Sequence, residues 1–181
     1  MQHGASVKFE SKLVDVKFLN HALYELDYET RDGVVSLPCE AMILAPGHSA
    51  RDTFRMLHER NIPMECKNFA VGFRLEHPQN MIDEAMYGKA NTTLMAAPYK
   101  VTANLPNSRG VYSFCMCPGG YVVNASSEEG RLVVNGMSYS KRDSASANSA
   151  IIVSVGPEDF GGNDPLAGLR FQGPLAEKAY Q

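Results

Sequence analysis

A Cys-Pro-Gly-Gly turn between two β-rich runs constrains this chain more than any other feature. Residues 110–117 alternate through Cys115 and Cys117, Pro118, Gly119 and Gly120 follow, and residues 121–125 resume a β-type pattern. Proline fixes one backbone angle and the glycines remove two Cβ atoms, so the main chain can turn sharply and be approached closely. Two readings fit that chemistry: a tight connection between strands, and exposed backbone on which a flat ligand ring lies. A second glycine turn, Pro46-Gly47-His48-Ser49, follows the apolar run 39–45.

The chain's 181 residues, 44% of them hydrophobic, are enough for a buried core. Its longest apolar run is too short to span a bilayer, and the first residues carry no secretion signal, which predicts a cytoplasmic protein without a membrane partner. Seventeen basic and twenty acidic side chains are balanced and form no basic run, which excludes nucleic acid as the expected partner.

Residues 7–18 and 24–28 alternate as antiparallel strands, Asp32-Gly33 marks a turn, and residues 34–37 continue the meander. The uncharged run 39–45 reads as a buried strand. Ser49 is placed to cap a helix over about 50–60, with Asp52 in its first turn and Asn61-Ile62-Pro63 as its stop. A strand from Phe69 with an apolar face follows, then a short helix from Pro78 to Gly88 that buries Met81, Ile82, Ala85 and Met86. Further strands are expected at 99–105, 111–117, 121–125, 131–135 and 150–155, with residues 127–130 as a hairpin connection. The polar stretch 141–149 reads as a loop and residues 135–138 as a polar turn. A last helix starts at Asp164-Pro165 and breaks at Gly173-Pro174. The predicted class is α+β. A β-meander plus helix occupies residues 1–63, and a mixed, mostly antiparallel sheet with flanking helices occupies 64–181.

At the C-terminal end of an apolar run and ahead of a helix, the amides of Gly47, His48 and Ser49 can face an anionic or polar ligand. Arg51 suits a phosphate or a helix-surface ion pair. In a regular strand Cys115 and Cys117 share a face with Cα atoms roughly 6.5 Å apart, a separation that strains a disulfide. Cys-x-Cys without a second Cys/His pair, and histidines without ligand spacing, predict no metal. Cys117 is either a thiol activated by the Pro118-Gly119-Gly120 amides or an inert packed cysteine. Arg74 and Glu76 read as a pair on the polar face of their strand, and His77 as an organiser of the turn at Pro78. Ser138, Arg142 and Asp143 suit either a substrate contact or a solvated loop.

Five segments carry a family resemblance: GHSARDTF (47–54), AVGFRLEHPQ (70–79), YSFCMCPGG (112–120), NGMSYSKRD (135–143) and ANSAIIVSVGPEDFG (147–161). Together they resemble the uncharacterised FAD-dependent dehydrogenases of the two-dinucleotide-binding flavoprotein type. The resemblance implies an oxidoreductase whose flavin performs hydride or electron transfer. Gly47, His48, Ser49, Arg51, Cys117, Pro118, Gly119 and Gly120 would then lie toward the flavin, and the remainder would contribute to a pocket for an unknown small substrate. This chain lacks the G-x-G-x-x-G loop with which the resembling proteins hold the pyrophosphate. The resemblance therefore implies an internal segment of a longer enzyme, not expected to hold FAD or to be active alone. A non-catalytic binding or scaffold module, and a thiol redox protein using Cys115 and Cys117, are the alternatives.

Overall fold

Asn20 and His21, both with positive φ (50° and 65°), form the two-residue turn that joins strand β1 (Lys12–Leu19) to β2 (Ala22–Thr30). Two successive left-handed residues match the right-handed twist of a hairpin, and asparagine tolerates that region better than most side chains. A second tight turn at Arg31-Asp32 leads to β3 (Gly33–Pro38), giving an antiparallel sheet of order β1-β2-β3. The computed structural model describes residues 4–89 and 94–181. The chain divides into two compact units, Met1–Glu65 and Cys66–Gln181.

In the first unit the expected strand 7–18 starts only at Lys12; Glu10 adopts φ 50° and interrupts the extended run. The expected buried strand at 39–45 does not form, and Ile43 is 97% exposed. An apolar run becomes a buried strand only when neighbours pair its backbone and cover both faces; here Cys39 N–H bonds to Tyr24 O of β2, and the run joins no sheet among the described residues. Helix α1 (Arg51–Glu59) forms as the sequence predicts. Its C-terminus closes with Asn61 at φ 54°, the Asn61 amide donating to His58 O and the Ile62 amide to Leu57 O. This double bond pattern satisfies two helix-end carbonyls and explains why Asn61 stops the helix. Lys12 pairs with Asp52 at 2.6 Å and Arg60 forks onto Asp15, so α1 is tied to β1, with Val16 and Leu57 buried.

In the second unit β4 (Phe69–Pro78), β9 (Ser146–Val155), β6 (Gly110–Cys117) and β5 (Thr102–Asn104) form an antiparallel sheet in that order. The β7 (Gly120–Asn124) and β8 (Val134–Ser138) strands form a separate ribbon, joined through the 127–130 region as the sequence predicts. Residues 135–138, expected as a polar turn, and 146–149, expected as a loop, are strand instead. Periodicity misses both because strand β9 is central and needs small side chains: Ala147, Asn148 and Ser149 are fully buried between β4 and β6. The architecture is α+β.

Among the described residues three helices complete this unit: α2 (Gln79–Tyr87), the single turn α3 (Pro157–Phe160) and α4 (Ala167–Tyr180). Pro78 stands one position before the start of α2 and Gly88 ends it at φ 81°. Its expected apolar side is not the buried one: Met81 and Met86 are exposed, and Gln79 is the buried residue. The break expected at Gly173-Pro174 is absent, and α4 runs through Pro174. Proline forfeits one helix hydrogen bond. Tertiary contacts flank that position: Phe171 packs on Phe69 and Phe160, Leu132 N–H donates to Ala176 O, and Arg131 pairs with Glu177.

Candidate functional site

The Gly47 turn lies on the surface. Gly47 has φ 77° with open space where a Cβ would stand, and His48 is exposed. Ser49 does not cap α1. Its hydroxyl lies 3.1 Å from His48 Nε2, and Ala50 takes the N-cap position without a side-chain bond. The Ser49 carbonyl instead accepts from Arg51 N–H, a turn that draws Ser49 out of capping geometry. Arg51 is 4% exposed, buried rather than on the helix surface where its position suggested. Asp52 holds its carboxyl below the ordinary range, first through the bond from Lys12 and then through Thr53 N–H.

The Cys-Pro-Gly-Gly turn is closed by the protein itself. Cys117, Pro118, Gly119 and Gly120 are all buried. Gly119 (φ 53°) donates its amide to Gln79 Oε1 at 2.8 Å, and a Cβ there would collide with the Arg142 carbonyl. A Cβ on Gly120 would meet the Met137 carbonyl and the Ser138 hydroxyl, and Ser138 Oγ donates to Pro118 O at 2.7 Å. The missing Cβ atoms admit close approach of backbone, as the sequence indicates, but the approaching group is the chain's own.

Cys115 and Cys117 do not share a face. The β6–β9 register shifts between Phe114 and Cys117, and Cys115 adopts φ 49° within that bulge. One inserted residue breaks the two-residue alternation, leaving Cys115 exposed and Cys117 8% exposed. The Cys117 thiol donates to Cys115 O at 3.3 Å.

Arg74 does not pair with Glu76. Its Nη1 donates to Asn148 Oδ1 (2.5 Å) and Cys115 O (3.1 Å) and lies 3.8 Å from Cys117 Sγ. Glu76 accepts the Val122 amide at 2.8 Å. A Cβ on Gly136 would strike both the Arg74 guanidinium and the Asn148 amide, so β8 can cover this cluster only with glycine there. Sequence reasoning missed Asn148, and its signal was present: a run of small residues beside the match at 147–161 is what a central strand under a covering ribbon requires.

His77 does more than organise a turn. Its Nε2 lies 3.0 Å from the Tyr99 hydroxyl, with ring centroids 5.5 Å apart, and Nδ1 lies 3.4 Å from Pro78 O. Nothing in the spacing of residues 77 and 99 announces this pair. Beside it, buried Gln79 and half-buried Asp83 form a polar cluster in which Gln79 Nε2 donates to Asp83 Oδ1 and Ala97 O. Ser138 is occupied by Pro118, and Arg142 and Asp143 are exposed.

At the other end of the sheet a polar cleft is lined by Asn68, Asn107, Ser108, Arg109, Ser154 and Glu158. Arg109 forks onto Asp159 at 2.6 and 2.8 Å and donates to Ser154 O. That bond, followed by the Gly156 amide, holds the Asp159 carboxyl below its ordinary range. Among the described residues no group of three or more His, Cys, Asp or Glu side chains could hold a metal ion. No helix among them is long and apolar enough to cross a membrane.

Comparison with known proteins places these features in a family. A protein of Clostridium beijerinckii, described as an uncharacterized protein, is 49% identical over 172 residues; the match covers 93% of this chain and 32% of that relative, so the chain spans about a third of the relative's length. Residues 68–181, nearly the whole second unit, match the family model of the FAD-dependent protein, C-terminal domain-like. A match over that share of the sequence shows that the chain belongs to this family of FAD-dependent proteins.

Proposed function

We propose that this chain is a segment of a FAD-dependent oxidoreductase that supplies part of the flavin-facing surface and of the substrate pocket. The family match over residues 68–181 carries this reading. When bound, the flavin supplies hydride or electron transfer, and the protein supplies binding, orientation and exclusion of water.

The residues of the Gly47 turn fit contact with a dinucleotide. Gly47 is open on its Cβ side and α1 begins without an N-cap side chain, while within its first turn the Arg51 amide is taken by Ser49 O and the Thr53 amide by Asp52 Oδ1. Helix N-termini of this kind suit phosphate or polar sugar groups. The turn at Cys117–Gly120 does not offer a comparable surface, because Gln79, Arg142 and Ser138 fill its approaches. In this reading the turn is a support that fixes Arg74 and Ser138, and Gly47, His48 and Ser49 are the contacts.

The test compares the full-length Clostridium relative with this chain, each purified and scanned by visible absorbance. The relative should be yellow and release one FAD per chain on denaturation, and this chain should be colourless. With only part of a site, the chain must order a large dinucleotide against few contacts, so weak binding is expected in FAD titrations. A flavin-free relative would overturn the oxidoreductase reading. A dialysis-resistant FAD on this chain would overturn the partial-site reading.

A further inference from the structure

We propose that Arg74 binds the carboxylate of a small organic acid. A guanidinium carries five N–H donors and a permanent charge. Both donors of Nη1 are engaged, by Asn148 Oδ1 and Cys115 O, and Nη1 also lies 3.8 Å from Cys117 Sγ. These partners are an amide oxygen, a peptide oxygen and a thiol, and none supplies a counter-charge. Among the described residues Nε and Nη2 make no hydrogen bond, and no carboxylate pairs with this side chain. The other half-buried arginines among them differ: Arg109 forks onto Asp159, and Arg131 meets Glu128 and Glu177. A cation partly withdrawn from water without a counter-charge costs free energy, and an anionic ligand removes that cost.

The surroundings fix this guanidinium at a cost to the fold. Cys115, whose carbonyl accepts from Arg74, adopts φ 49° in the β6 bulge, a left-handed conformation unfavourable for a residue with a Cβ. Asn148 is fully buried with Nδ2 unpartnered among the described residues, so its amide serves Arg74 through Oδ1 and leaves its own donors unsatisfied. A Cβ at Gly136 would strike both side chains, so β8 can lie over the pair only with glycine there. Three unfavourable features thus converge on Nη1, as strain retained around a functional group does. The other edge, where Nε–H and one Nη2–H run parallel, matches the two oxygens of a carboxylate. On the same sheet face Gly72 stands next along β4 and Ala150 across in β9, so no side chain longer than a methyl group obstructs from those positions. Glu76 follows on that face, its carboxylate accepting the Val122 amide, and its charge disfavours a dianion such as phosphate. A monoanionic carboxylate meets these conditions. As a substrate subsite this position rests on the oxidoreductase reading; as a binding site it stands on the geometry of this chain alone.

The test needs no flavin, so its failure is distinguishable from failure of the oxidoreductase reading. The isotope-labelled 181-residue chain is titrated at constant ionic strength with benzoate, with benzamide as its neutral isostere, and with inorganic phosphate. Arginine Nε–H signals, assigned through their own side-chain carbons, are followed by NMR. We expect benzoate to shift the Arg74 signal saturably and to bind at least about tenfold tighter than benzamide or phosphate, the effect of one charge-assisted fork. The signals of the exposed Arg55 and Arg142 should not follow that curve. Asn148→Asp is nearly isosteric and sets a carboxylate against Nη1, so it should weaken benzoate at least about fivefold. The three probes on the unsubstituted chain decide the matter even if that variant fails to fold. Equal affinity for benzoate and benzamide, tighter binding of phosphate, shifts at Arg55 and Arg142 that match those at Arg74, or undiminished benzoate affinity in a folded Asn148→Asp variant would overturn the proposal.

Discussion

The Arg74 guanidinium and the Asn148 side-chain amide, 74 residues apart in sequence, meet at 2.5 Å directly beneath the Cα of Gly136. Asn148 is fully buried, and its Nδ2 has no hydrogen-bond partner among the described residues. Oδ1 is thus the polar anchor of this side chain. Gly136→Ala must displace either the anchor or β8, and we expect a loss of roughly 1–3 kcal/mol, the usual range for overpacking. Chemical denaturation with an unchanged m-value would check it.

The two glycine turns should respond differently to alanine. At Gly47 only the positive φ opposes a side chain, so Gly47→Ala should cost about 1–2 kcal/mol. At Gly119 the same backbone penalty is joined by collision with the Arg142 carbonyl, so Gly119→Ala should cost roughly 2–5 kcal/mol. Denaturant midpoints of the two variants, compared side by side, decide it; equal losses would mean that the Gly119 turn relaxes away from Arg142.

Alkylation should separate the two neighbouring thiols. Cys115 is exposed on its bulge and Cys117 is buried, so iodoacetamide should modify Cys115 at least about tenfold faster, with Cys117 reacting through local opening. Timed quenching followed by peptide mass spectrometry reads both rates. Equal rates would show that the bulge does not hold the two side chains on different sides.

The Arg109–Asp159 pair should leave a pH signature. The Asp159 carboxyl is depressed by Arg109 in the folded protein, so its stabilisation is fully present above the unfolded carboxylate value, about 3.9. It is lost as pH falls through the lower folded value. Asp159→Asn should therefore lower the thermal midpoint at neutral pH and flatten the acid limb below about pH 4. An acid limb identical to the wild type would exclude the pair as its source.

Elements whose signal is local were legible in the sequence. The meander turns within one residue of the expected Asp32-Gly33, α1 spans nearly the predicted residues and is stopped by Asn61, and β4, β6 and β7 form where alternation puts them. In each, the backbone preference of a few adjacent residues agrees with the final fold, except at Cys115, where the bulge interrupts the alternation of β6. The Gly119 position was also legible as one where backbone needs close approach, though not by what.

What only tertiary structure decided were the features whose cause lies far along the chain. Residues 146–149 become strand because β4 and β6 stand on either side. Residues 39–45 join no sheet among the described residues, their pairing with β2 ending at the bond from Cys39 N–H to Tyr24 O. Helix α4 continues through Pro174 where local propensity opposes it. A single bulge at Cys115 separates two cysteines that the alternation put on one face, and the His77–Tyr99 and Arg74–Asn148 pairs join residues whose spacing carries no pattern. The sequence by itself determined the meander, the stop of α1 at Asn61 and the strands β4 and β7, because those depend on neighbours within a few residues. Strand pairing, burial and side-chain partnership depend on which surfaces meet, and a pattern read along one dimension does not contain that.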